Sequence, residues 1–338
     1  MKNIAILEPG AWGTALGILL SNKNQVRFWY ENPALTLKIE NARENEKLPG
    51  IKIPQKISIS SDLEKIINET DLIIIASPSF NFRKTLLKIK NLKNPPPLLG
   101  IAKGIEKQTL KLPSQIVEEI LGRTSYTHLS GPGFAREIVK GRPTKEIIAS
   151  KDRPLLKKLK ELFKNKNLQT STTTDLIGVQ LAGAIKNALA IGISLVEAAI
   201  IENPKGAKLL KSKIRKNLIQ LGLKEIIEIG RAMGAEEKTF FGPAGLEDLI
   251  LTSSSPLSRN FQFGKNLYLN AEKMRQDIKG RKITVEGFDN AWALQKLGKK
   301  YKLDLPMINE IYKLIYKKTS PEKTIKNLIK LTEACERG

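Results

Sequence analysis

Cysteine and histidine are almost absent from this 338-residue sequence, which holds one of each, Cys335 and His128. A lone thiol cannot close a disulfide within the chain, and a lone imidazole excludes a site built from several histidines. We therefore expect a protein of a reducing compartment, the cytoplasm, without a metal site. Any proton transfer is left to lysine and carboxylate side chains.

Long apolar runs are missing as well. The longest stretch without a charge spans residues 9–22, which is shorter than the roughly 20 residues that a helix needs to cross a bilayer. Near the N-terminus Lys2 precedes an apolar run, as in a secretory signal, but Glu8, Pro9 and Gly10 interrupt that run. These features predict a cytosolic protein with no membrane partner.

Aromatic residues are scarce, at 6%, and acidic residues are outnumbered by basic ones, 34 against 57, which gives a net charge of +23. Such a charge suits nucleic acid, an acidic membrane or an anionic small substrate. The lysines are dispersed as on solvated helix faces, for example at Lys157, Lys158 and Lys160, and aromatic residues do not alternate with them. We therefore favour a small-molecule substrate, and a basic nucleic-acid-binding protein is the alternative.

The sequence does contain enough apolar residues, 41%, for two hydrophobic cores. Up to residue 175, short apolar runs alternate with helical patterns, which predicts a Rossmann-like, doubly wound α/β sheet. The predicted strands are residues 4–7, 26–29, 71–76, 98–102, 126–129 and 146–149, with helices after the first strand and at 82–89 and 113–121.

After Asp175 the strand signals become few. Helical period or length marks residues 176–199, 212–233, 267–274, 290–299 and 306–316. The sequence thus predicts a dinucleotide-binding domain over residues 1–175 and an all-α substrate-binding domain over 176–338.

A glycine turn between the first strand and its helix points to a dinucleotide. Gly10 and Gly13 fit the second and third glycines of the phosphate-binding fingerprint, with Ala11 and Trp12 between them, because such a turn aims backbone amides at a pyrophosphate. Glu31, at the end of the second strand, suits the ribose hydroxyls and repels a 2'-phosphate. NAD(H) is therefore favoured over NADP(H). The alternative is that Glu31 is a solvated surface glutamate without a role in cofactor binding.

Lys186 stands in the otherwise apolar stretch 181–190. A lysine buried there loses hydration, which lowers the pKa of its ammonium and suits it to proton transfer. The alternative is a lysine that extends its ammonium from the rim of a helix into water.

Several short motifs follow one another along nearly the whole chain. They are Ala11-Trp12-Gly13-Thr14-Ala15-Leu16, Lys103-Gly104-Ile105-Glu106, Ser130-Gly131-Pro132-Gly133-Phe134-Ala135, Gly141-Arg142-Pro143-Thr144, Ala184-Ile185-Lys186-Asn187, Gly245-Leu246-Glu247-Asp248-Leu249, Ser258-Arg259-Asn260 and Val285-Glu286-Gly287. Together these motifs resemble the NAD(P)-dependent glycerol-3-phosphate dehydrogenases. The resemblance implies reversible reduction of dihydroxyacetone phosphate to sn-glycerol 3-phosphate, for glycerophospholipid synthesis.

The same resemblance implies roles for individual residues. Lys186 is the expected catalytic lysine, Asp248 the carboxylate that tunes its ammonium, and Arg259 with Asn260 the phosphate clamp. The substrate is expected at Lys103, Gly131, Gly133, Lys186, Asn187, Asp248, Ser258, Arg259 and Asn260. The cofactor is expected at Gly10, Ala11, Trp12, Gly13, Glu31, Lys103, Ala135, Arg259 and Glu286.

The sequence departs from the family pattern at a few places. Glu8 replaces the first loop glycine, Ala11 and Gly133 stand where serine is common, and Glu247 replaces the glycine before Asp248. The lysine-rich stretch 200–220 differs in pattern and length. An active enzyme that binds its cofactor more weakly is expected. A ketopantoate-type reductase and a divergent, non-catalytic paralogue are the alternatives, and a homodimer is left open.

Overall fold

The computed structural model describes residues 1–122, 124–202, 207–280 and 283–335, with the backbone alone at 202, 207–211, 279, 334 and 335. Two compact units make up the chain. The sheet unit comprises Met1–Ala102 and Lys111–Val179, and the helical unit comprises Lys103–Leu110 and Gln180–Gly338. The short segment Lys103–Leu110 therefore belongs with the helices, although sheet-unit residues flank it in the sequence.

The sheet unit is built on one eight-stranded sheet with the order β3-β2-β1-β4-β5-β6-β7-β8. Neighbouring strands are parallel except for the antiparallel pair β6 and β7. The strands are β1 Asn3–Leu7, β2 Gln25–Trp29, β3 Ser58–Ser60, β4 Leu72–Ile75, β5 Leu98–Gly100, β6 Tyr126–Ser130, β7 Thr144–Ala149 and β8 Leu168–Thr173.

The central strands β1 and β4 explain why the sheet forms. They pair in parallel register with Ile4 beside Leu72 and Leu7 beside Ile75, and these four residues are fully buried. Continuous apolar strands of this kind are typical of parallel sheets covered on both faces. The predicted doubly wound α/β sheet is therefore confirmed, together with each strand predicted from the sequence.

The sheet unit also contains seven α-helices in its described part. A polar side chain starts three of them by accepting backbone N–H groups: Asn32 before α2, Asp62 before α3 and Asp152 before α7. The helices are α1 Ala11–Leu20, α2 Pro33–Ala42, α3 Leu63–Ile67, α4 Phe82–Leu87, α5 Pro113–Leu121, α6 Ala135–Val139 and α7 Arg153–Leu162.

The helical unit has no strand among its described residues, which confirms the all-α prediction for the second half of the chain. Two short 3-10 or π turns, Glu237–Phe241 and Pro243–Glu247, precede α10. Its helices are α8 Leu176–Glu202, which begins in the sheet unit, α9 Ala207–Ala232, α10 Asp248–Ser254, α11 Arg259–Lys279, α12 Glu286–Tyr301, α13 Pro306–Tyr316 and α14 Pro321–Cys335.

Helix α8 is the most apolar of these elements. Within the described ranges, Leu176–Ile201 is the one helical stretch whose length and composition would suffice to cross a membrane, and 83% of its apolar window is buried inside the protein. Lys186 lies near the middle of this helix. The divergent stretch 200–220 covers the end of α8 and the start of α9, and residues 203–206 of it lie outside the described chain.

Candidate active site

A buried carboxylate joins two lysines in the helical unit. Lys186 Nζ lies 2.5 Å from Asp248 Oδ1, and Lys103 Nζ lies 2.7 Å from Asp248 Oδ2. The side chains are 7% exposed for Lys186, 12% for Lys103 and 2% for Asp248. Three residues that the sequence motifs single out thus form one cluster, which we call the lysine–aspartate cluster.

The ammonium of Lys186 titrates well below its ordinary range. Burial lowers the pKa of Lys186 to about 8, the negative charge of Asp248 raises it, and the positive charge of Lys103 lowers it further. Desolvation outweighs the attraction of the carboxylate because the surrounding helix is apolar, as the sequence around Lys186 predicts. A lysine with such a pKa can both donate and accept a proton near neutral pH.

Helix α10 and the turn before it place the carboxylate. Asp248 is the first residue of α10 and follows directly on the π turn Pro243–Glu247, so Glu247 does not prevent Asp248 from reaching both lysines. Gly245 allows this turn, because a Cβ there would lie 2.1 Å from the carbonyl oxygen of Phe240. One turn into α10, Thr252 accepts a hydrogen bond from Lys186 Nζ at 2.8 Å.

Asn187 and Asn260 form a second layer of polar contacts in the same unit. Asn260 Nδ2 donates to Asn187 Oδ1 at 2.9 Å, and the Gly287 N–H donates to Asn260 Oδ1 at 3.0 Å. Asn187 Nδ2 donates to the Lys103 carbonyl at 3.2 Å and lies 3.4 Å from Glu286 Oε2. Asn260, predicted as part of the phosphate clamp, therefore has its carboxamide engaged in holding Asn187 and Gly287.

Asn290, a residue that the sequence analysis did not single out, fixes the backbone around Lys103. It is fully buried, and its Nδ2 donates to the carbonyls of Lys103 and Ala184, each at 3.0 Å. Its Oδ1 accepts the Ile105 N–H at 3.2 Å. The only sequence signal was an amide side chain within a helical pattern, and sequence alone does not distinguish such a residue from a solvated one.

Ser258 and Arg259 lie at the start of α11. Ser258 is 4% exposed and caps the helix by accepting the Phe261 N–H at 3.2 Å. Arg259, the first helical residue, is exposed, and its guanidinium has no hydrogen-bond or ion-pair partner within the part of the chain that the structure describes. A guanidinium without a protein partner is available to an anionic ligand.

The sheet unit presents the glycine turn as the N-terminus of α1. Gly10 caps the ten-residue helix without a side-chain hydrogen bond, and no acidic residue lies in its first turn, so the amides of Ala11 and Trp12 are open to an anion. A Cβ on Gly13 would lie 2.6 Å from the Cβ of Ala76, so only glycine lets helix and strand approach here. These features fit the pyrophosphate of a dinucleotide.

The backbone conformation and the hydrogen bonds of Glu8 show how it replaces a glycine in this turn. Its φ is +55°, in the left-handed region that favours glycine, and its N–H donates to the Trp29 carbonyl at 2.8 Å. Its Oε1 accepts the Glu31 N–H at 2.6 Å. The carboxylate thus bonds the backbone at the end of β2.

Glu31 carries two lysine partners from the region of α4. Lys84 Nζ lies 2.6 Å from Glu31 Oε2 and Lys88 Nζ lies 2.7 Å from Glu31 Oε1. Hydrogen bonds from Lys84 and then Lys88 lower the pKa of Glu31. The carboxylate, 37% exposed, is therefore ionised and held at the end of β2.

Gly131, Gly133 and Ala135 follow β6 in the same unit. A Cβ on Gly131 would lie 2.5 Å from the Lys145 carbonyl, and a Cβ on Gly133 would lie 3.3 Å from the ring of Trp12. Trp12 and Gly133 are therefore neighbours, so the cofactor turn and the second glycine motif meet. Ala135 begins α6 and packs against the core of the sheet.

The candidate residues thus fall into two sets. The helical unit brings together Lys103, Lys186, Asn187, Asp248, Asn260 and Glu286, with Ser258 and Arg259 at the start of α11. The sheet unit holds Gly10, Ala11, Trp12, Gly13, Glu31, Gly131, Gly133 and Ala135. Across the described residues, no group of three His, Cys, Asp or Glu side chains is arranged to hold a metal ion.

Sequence comparison finds matches along almost the whole chain. Residues 3–156 match the family of the NAD-dependent glycerol-3-phosphate dehydrogenase N-terminus, and residues 175–326 match its C-terminus. A glycerol-3-phosphate dehydrogenase (NAD(P)+) of Francisella tularensis subsp. novicida is 36% identical over 335 residues, 97% of each chain. One of Hydrogenovibrio crunogenus is 34% identical over 97% of this chain and 94% of its own length.

Structure comparison gives the same relationship. The crystal structure of glycerol-3-phosphate dehydrogenase from Coxiella burnetii superposes with a TM-score of 0.88 at 28% identity, over 97% of this chain and 98% of that one. The resemblance inferred from the motifs is thereby confirmed.

Proposed function

Because the chain belongs to the NAD(P)-dependent glycerol-3-phosphate dehydrogenase family, we propose that it interconverts dihydroxyacetone phosphate and sn-glycerol 3-phosphate with a nicotinamide cofactor, for glycerophospholipid synthesis. The observation that carries the proposal is the lysine–aspartate cluster, in which Lys186 and Lys103 share the buried carboxylate of Asp248. A ketone that accepts a hydride develops negative charge on its oxygen. Ammonium groups beside the reacting ketone stabilise this negative charge.

Lys186 is proposed as the proton donor to the substrate oxygen. Its pKa of about 8 leaves it largely protonated at neutral pH and able to release the proton in the transition state. Lys103 adds positive charge and bonds the substrate, while Asn187 sits beside both. Asp248 keeps the pKa of Lys186 from falling further.

Arg259 is proposed to hold the substrate phosphate. Its exposed guanidinium offers a planar fork that bonds two phosphate oxygens at once. Asn260 and Ser258 support it from the start of α11, with Asn260 acting chiefly through Asn187. This site favours a phosphorylated substrate over ketopantoate, which carries a carboxylate in place of a phosphate.

The cofactor is proposed to bind at the glycine turn of the sheet unit, with its pyrophosphate on the amides from Gly10 to Gly13 and a further contact from Ala135, while Gly131 and Gly133 leave room for nicotinamide and substrate. Lys103, Arg259 and Glu286 of the helical unit stay predicted cofactor contacts from the family resemblance. The bound nicotinamide supplies or accepts the hydride. Glu31, ionised and paired with two lysines, is proposed to accept the ribose hydroxyls and to disfavour a 2'-phosphate. NAD(H) is therefore preferred to NADP(H).

Residues 1–175 are accordingly proposed to bind the dinucleotide and residues 176–338 to bind and convert the substrate. The cytoplasm is the proposed compartment, which agrees with a single cysteine. A homodimer is the proposed assembly, and size-exclusion chromatography with light scattering tests it.

The central experiment is oxidation of NADH in the presence of dihydroxyacetone phosphate, beside NADPH and beside ketopantoate. Lys186→Ala is expected to lower kcat by about 1,000-fold, the size of a lost proton donor, and to leave the NADH dissociation constant unchanged. Lys224→Ala, at an exposed position of α9, is the matched control and should keep full activity. Turnover of ketopantoate alone, or none with any substrate, would overturn the proposal.

The cofactor preference is tested at Glu31. Glu31→Arg should improve the kcat/KM for NADPH relative to NADH, because it replaces a carboxylate by a third cation beside Lys84 and Lys88. Glu46→Arg reverses the charge of another lysine-paired glutamate, 2.9 Å from Lys38, and should leave the ratio unchanged. An unchanged ratio in Glu31→Arg would show that Glu31 does not contribute to the choice between NADH and NADPH.

A further inference from the structure

The ammonium of Lys107 lies among three aromatic rings. Its Nζ is 5.9 Å from the ring centre of Phe288, 5.5 Å from that of Trp292 and 5.2 Å from that of Tyr316. Asp289 adds a carboxylate oxygen at 3.4 Å. These four residues, called the ammonium cage from here on, lie on α12 and α13.

Rings of the ammonium cage are held by contacts that do not involve Lys107. The rings of Phe288 and Tyr316 are 4.8 Å apart, and the Tyr316 hydroxyl donates to the Phe288 carbonyl at 3.0 Å. Tyr312 stacks on Tyr316, with ring centres 5.3 Å apart. The rings are thus fixed by helix packing, and an ammonium over several ring faces is attracted by all of them.

Lys107 belongs to the same segment, Lys103–Leu110, that carries Lys103. At its start, the segment is fixed by Asn290, which bonds the Lys103 carbonyl and the Ile105 N–H. Four residues after Lys103, the ammonium cage holds the side chain of Lys107. Both attachments lead to α12, so the segment is tied to one helix at two points.

We propose that Lys107 is a positioning residue: its ammonium, held in the cage of Phe288, Trp292, Tyr316 and Asp289, fixes the Lys103–Leu110 segment so that Lys103 meets Asp248. The inference rests on the proposed function of Lys103. Among the described residues, Lys107 forms no hydrogen bond or ion pair with Lys186 or Asp248, so its effect on them is proposed to pass through Lys103.

Loosening of the Lys103–Leu110 segment is expected to change the pKa of Lys186. The positive charge of Lys103 lowers the pKa of Lys186, and Asp248 raises it, while Thr252 accepts another hydrogen bond from Lys186. When Lys103 spends time away from Asp248, the lowering effect weakens and the carboxylate acts on Lys186 alone. The pKa of Lys186 therefore rises, and binding of the substrate at Lys103 weakens.

Three variants test the proposal in the full-length enzyme. Lys107→Met keeps the length of the side chain without its charge, and Lys107→Arg restores a cation for the rings. Lys296→Met is the matched control, because Lys296 Nζ lies 5.4 Å from the same Trp292 ring but belongs to α12 itself. The measurements are kcat and KM for dihydroxyacetone phosphate against pH, and amide hydrogen exchange of residues 103–110.

Lys107→Met is expected to raise KM about tenfold, to move the alkaline limb of kcat to higher pH and to speed exchange at Ile105. Lys107→Arg should restore all three, and Lys296→Met should change none. Equal effects of Lys107→Met and Lys296→Met, or unchanged KM and pH profile in Lys107→Met, would overturn the proposal.

Failure of the proposed function has a different signature, because the unaltered enzyme would then not reduce dihydroxyacetone phosphate at all. The hydrogen exchange does not depend on turnover and still tests Lys107. Unchanged exchange in Lys107→Met would show that the ammonium cage does not hold the segment, and faster exchange reversed by arginine would show that it does.

Discussion

Asp248 is a single carboxylate shared by two ammonium groups inside the helical unit, with only 2% of its side chain exposed. Buried charges are costly unless they are paired, and here the two oxygens of Asp248 pair with both ammonium groups. The two ammonium groups make the lysine–aspartate cluster suitable for an anionic substrate. The pairing also makes the protonation of Lys186 depend directly on Asp248.

Asp248→Asn is therefore expected to lower kcat for ketone reduction about 100-fold, within the range for a disturbed proton donor. The carboxylate raises the pKa of Lys186, so its removal lowers that pKa and the proton is lost at a lower pH. The alkaline limb of the kcat profile should accordingly move to lower pH. Steady-state kinetics at a series of pH values measure both effects.

Asp304→Asn, at an exposed aspartate of the same unit, is the control and should reproduce the original profile. An alkaline limb that stays in place in Asp248→Asn would mean that Lys186 does not set it.

Substitution of Glu8 tests how this residue affects the stability of the fold and the affinity for NADH. A left-handed backbone conformation costs a non-glycine residue about 1 kcal/mol, and Glu8→Gly removes this cost. The substitution also removes a hydrogen bond that contributes about 1 kcal/mol, so the two effects offset each other and the melting temperature should change little. Glu8→Gly also removes one negative charge from the end of the strand that leads into the proposed pyrophosphate site, and NADH is expected to bind up to roughly fivefold more tightly, which corresponds to about 1 kcal/mol. Fluorescence titration and thermal unfolding measure the two quantities.

Glu69→Gly is the matched control, since Glu69 is an exposed glutamate of the same unit with a φ of +53°. It should stabilise the fold without changing the affinity for NADH. Equal NADH affinities of Glu8→Gly and the original protein would show that Glu8 does not weaken the cofactor site.

At the scale of elements, helix α13 is started by a carboxylate from another helix. Glu225 of α9 accepts the N–H groups of Met307 and Ile308 at 2.6 and 3.0 Å and is 2% exposed. Burial raises the pKa of Glu225 to about 8, against the lowering effect of the two backbone hydrogen bonds. The folded protein therefore favours the protonated carboxyl.

The sign of the pH effect follows from this direction. The stabilisation by Glu225 is complete below its unfolded pKa of 4.5 and is lost as the pH rises through about 8. Glu225→Gln cannot ionise, so its free energy of unfolding should fall less between pH 5 and pH 8, by up to about 1.4 kcal/mol for each pH unit. Urea unfolding at both pH values gives the comparison.

Glu322→Gln, at an exposed position in the first turn of α14, should keep the pH dependence of the original protein. A steeper fall in Glu225→Gln than in the original protein would contradict a raised pKa.

The elements that the sequence predicted well are those with a strong apolar pattern. The strand of residues 71–76 and the helices Pro113–Leu121 and Pro306–Tyr316 agree with the structure within a residue or two. Strands β3 and β8 were missed because their sequences, SIS and LQTSTT, are short or polar and lie toward the edges of the sheet. Their strand character comes from pairing with neighbours, which no local pattern encodes.

Some features of the candidate site were also predictable from local sequence, and others were not. The burial of Lys186 was predictable, because a lone lysine in an apolar helix has few structural reasons to be there. The bond between Asp248 and Lys103 joins residues far apart in the sequence, so motifs could name both residues while only the fold brings them together. The same holds for Asn290 and Lys107, whose roles depend on a carbonyl and on rings contributed by other elements.

At the scale of the whole molecule, the net charge of +23 is larger than a substrate site requires. Self-repulsion destabilises a folded chain of one predominant sign, and salt screens it. We expect the melting temperature at pH 7 to rise as salt is raised from ~0.01 M to ~0.15 M, because the Debye length falls from ~30 to ~8 Å. Exposed ion pairs contribute too little to reverse this direction.

The control is the same titration near the isoelectric point of about 9.9, where the salt effect should nearly vanish. A melting temperature that falls with salt at pH 7 would show that attractive pairs outweigh the repulsion.

The placement of Lys103–Leu110 with the helices means that the chain leaves the sheet unit and returns to it before its final departure. A split of the gene at residue 175 puts Lys103 and Lys107 on the first fragment and their partners in the helical unit on the second. The same separation occurs in a chimera that takes its second half from a relative. The halves are therefore not interchangeable modules. A working chimera must carry this internal segment together with α12 and α13, so that Asn290 and the ammonium cage meet the residues they hold.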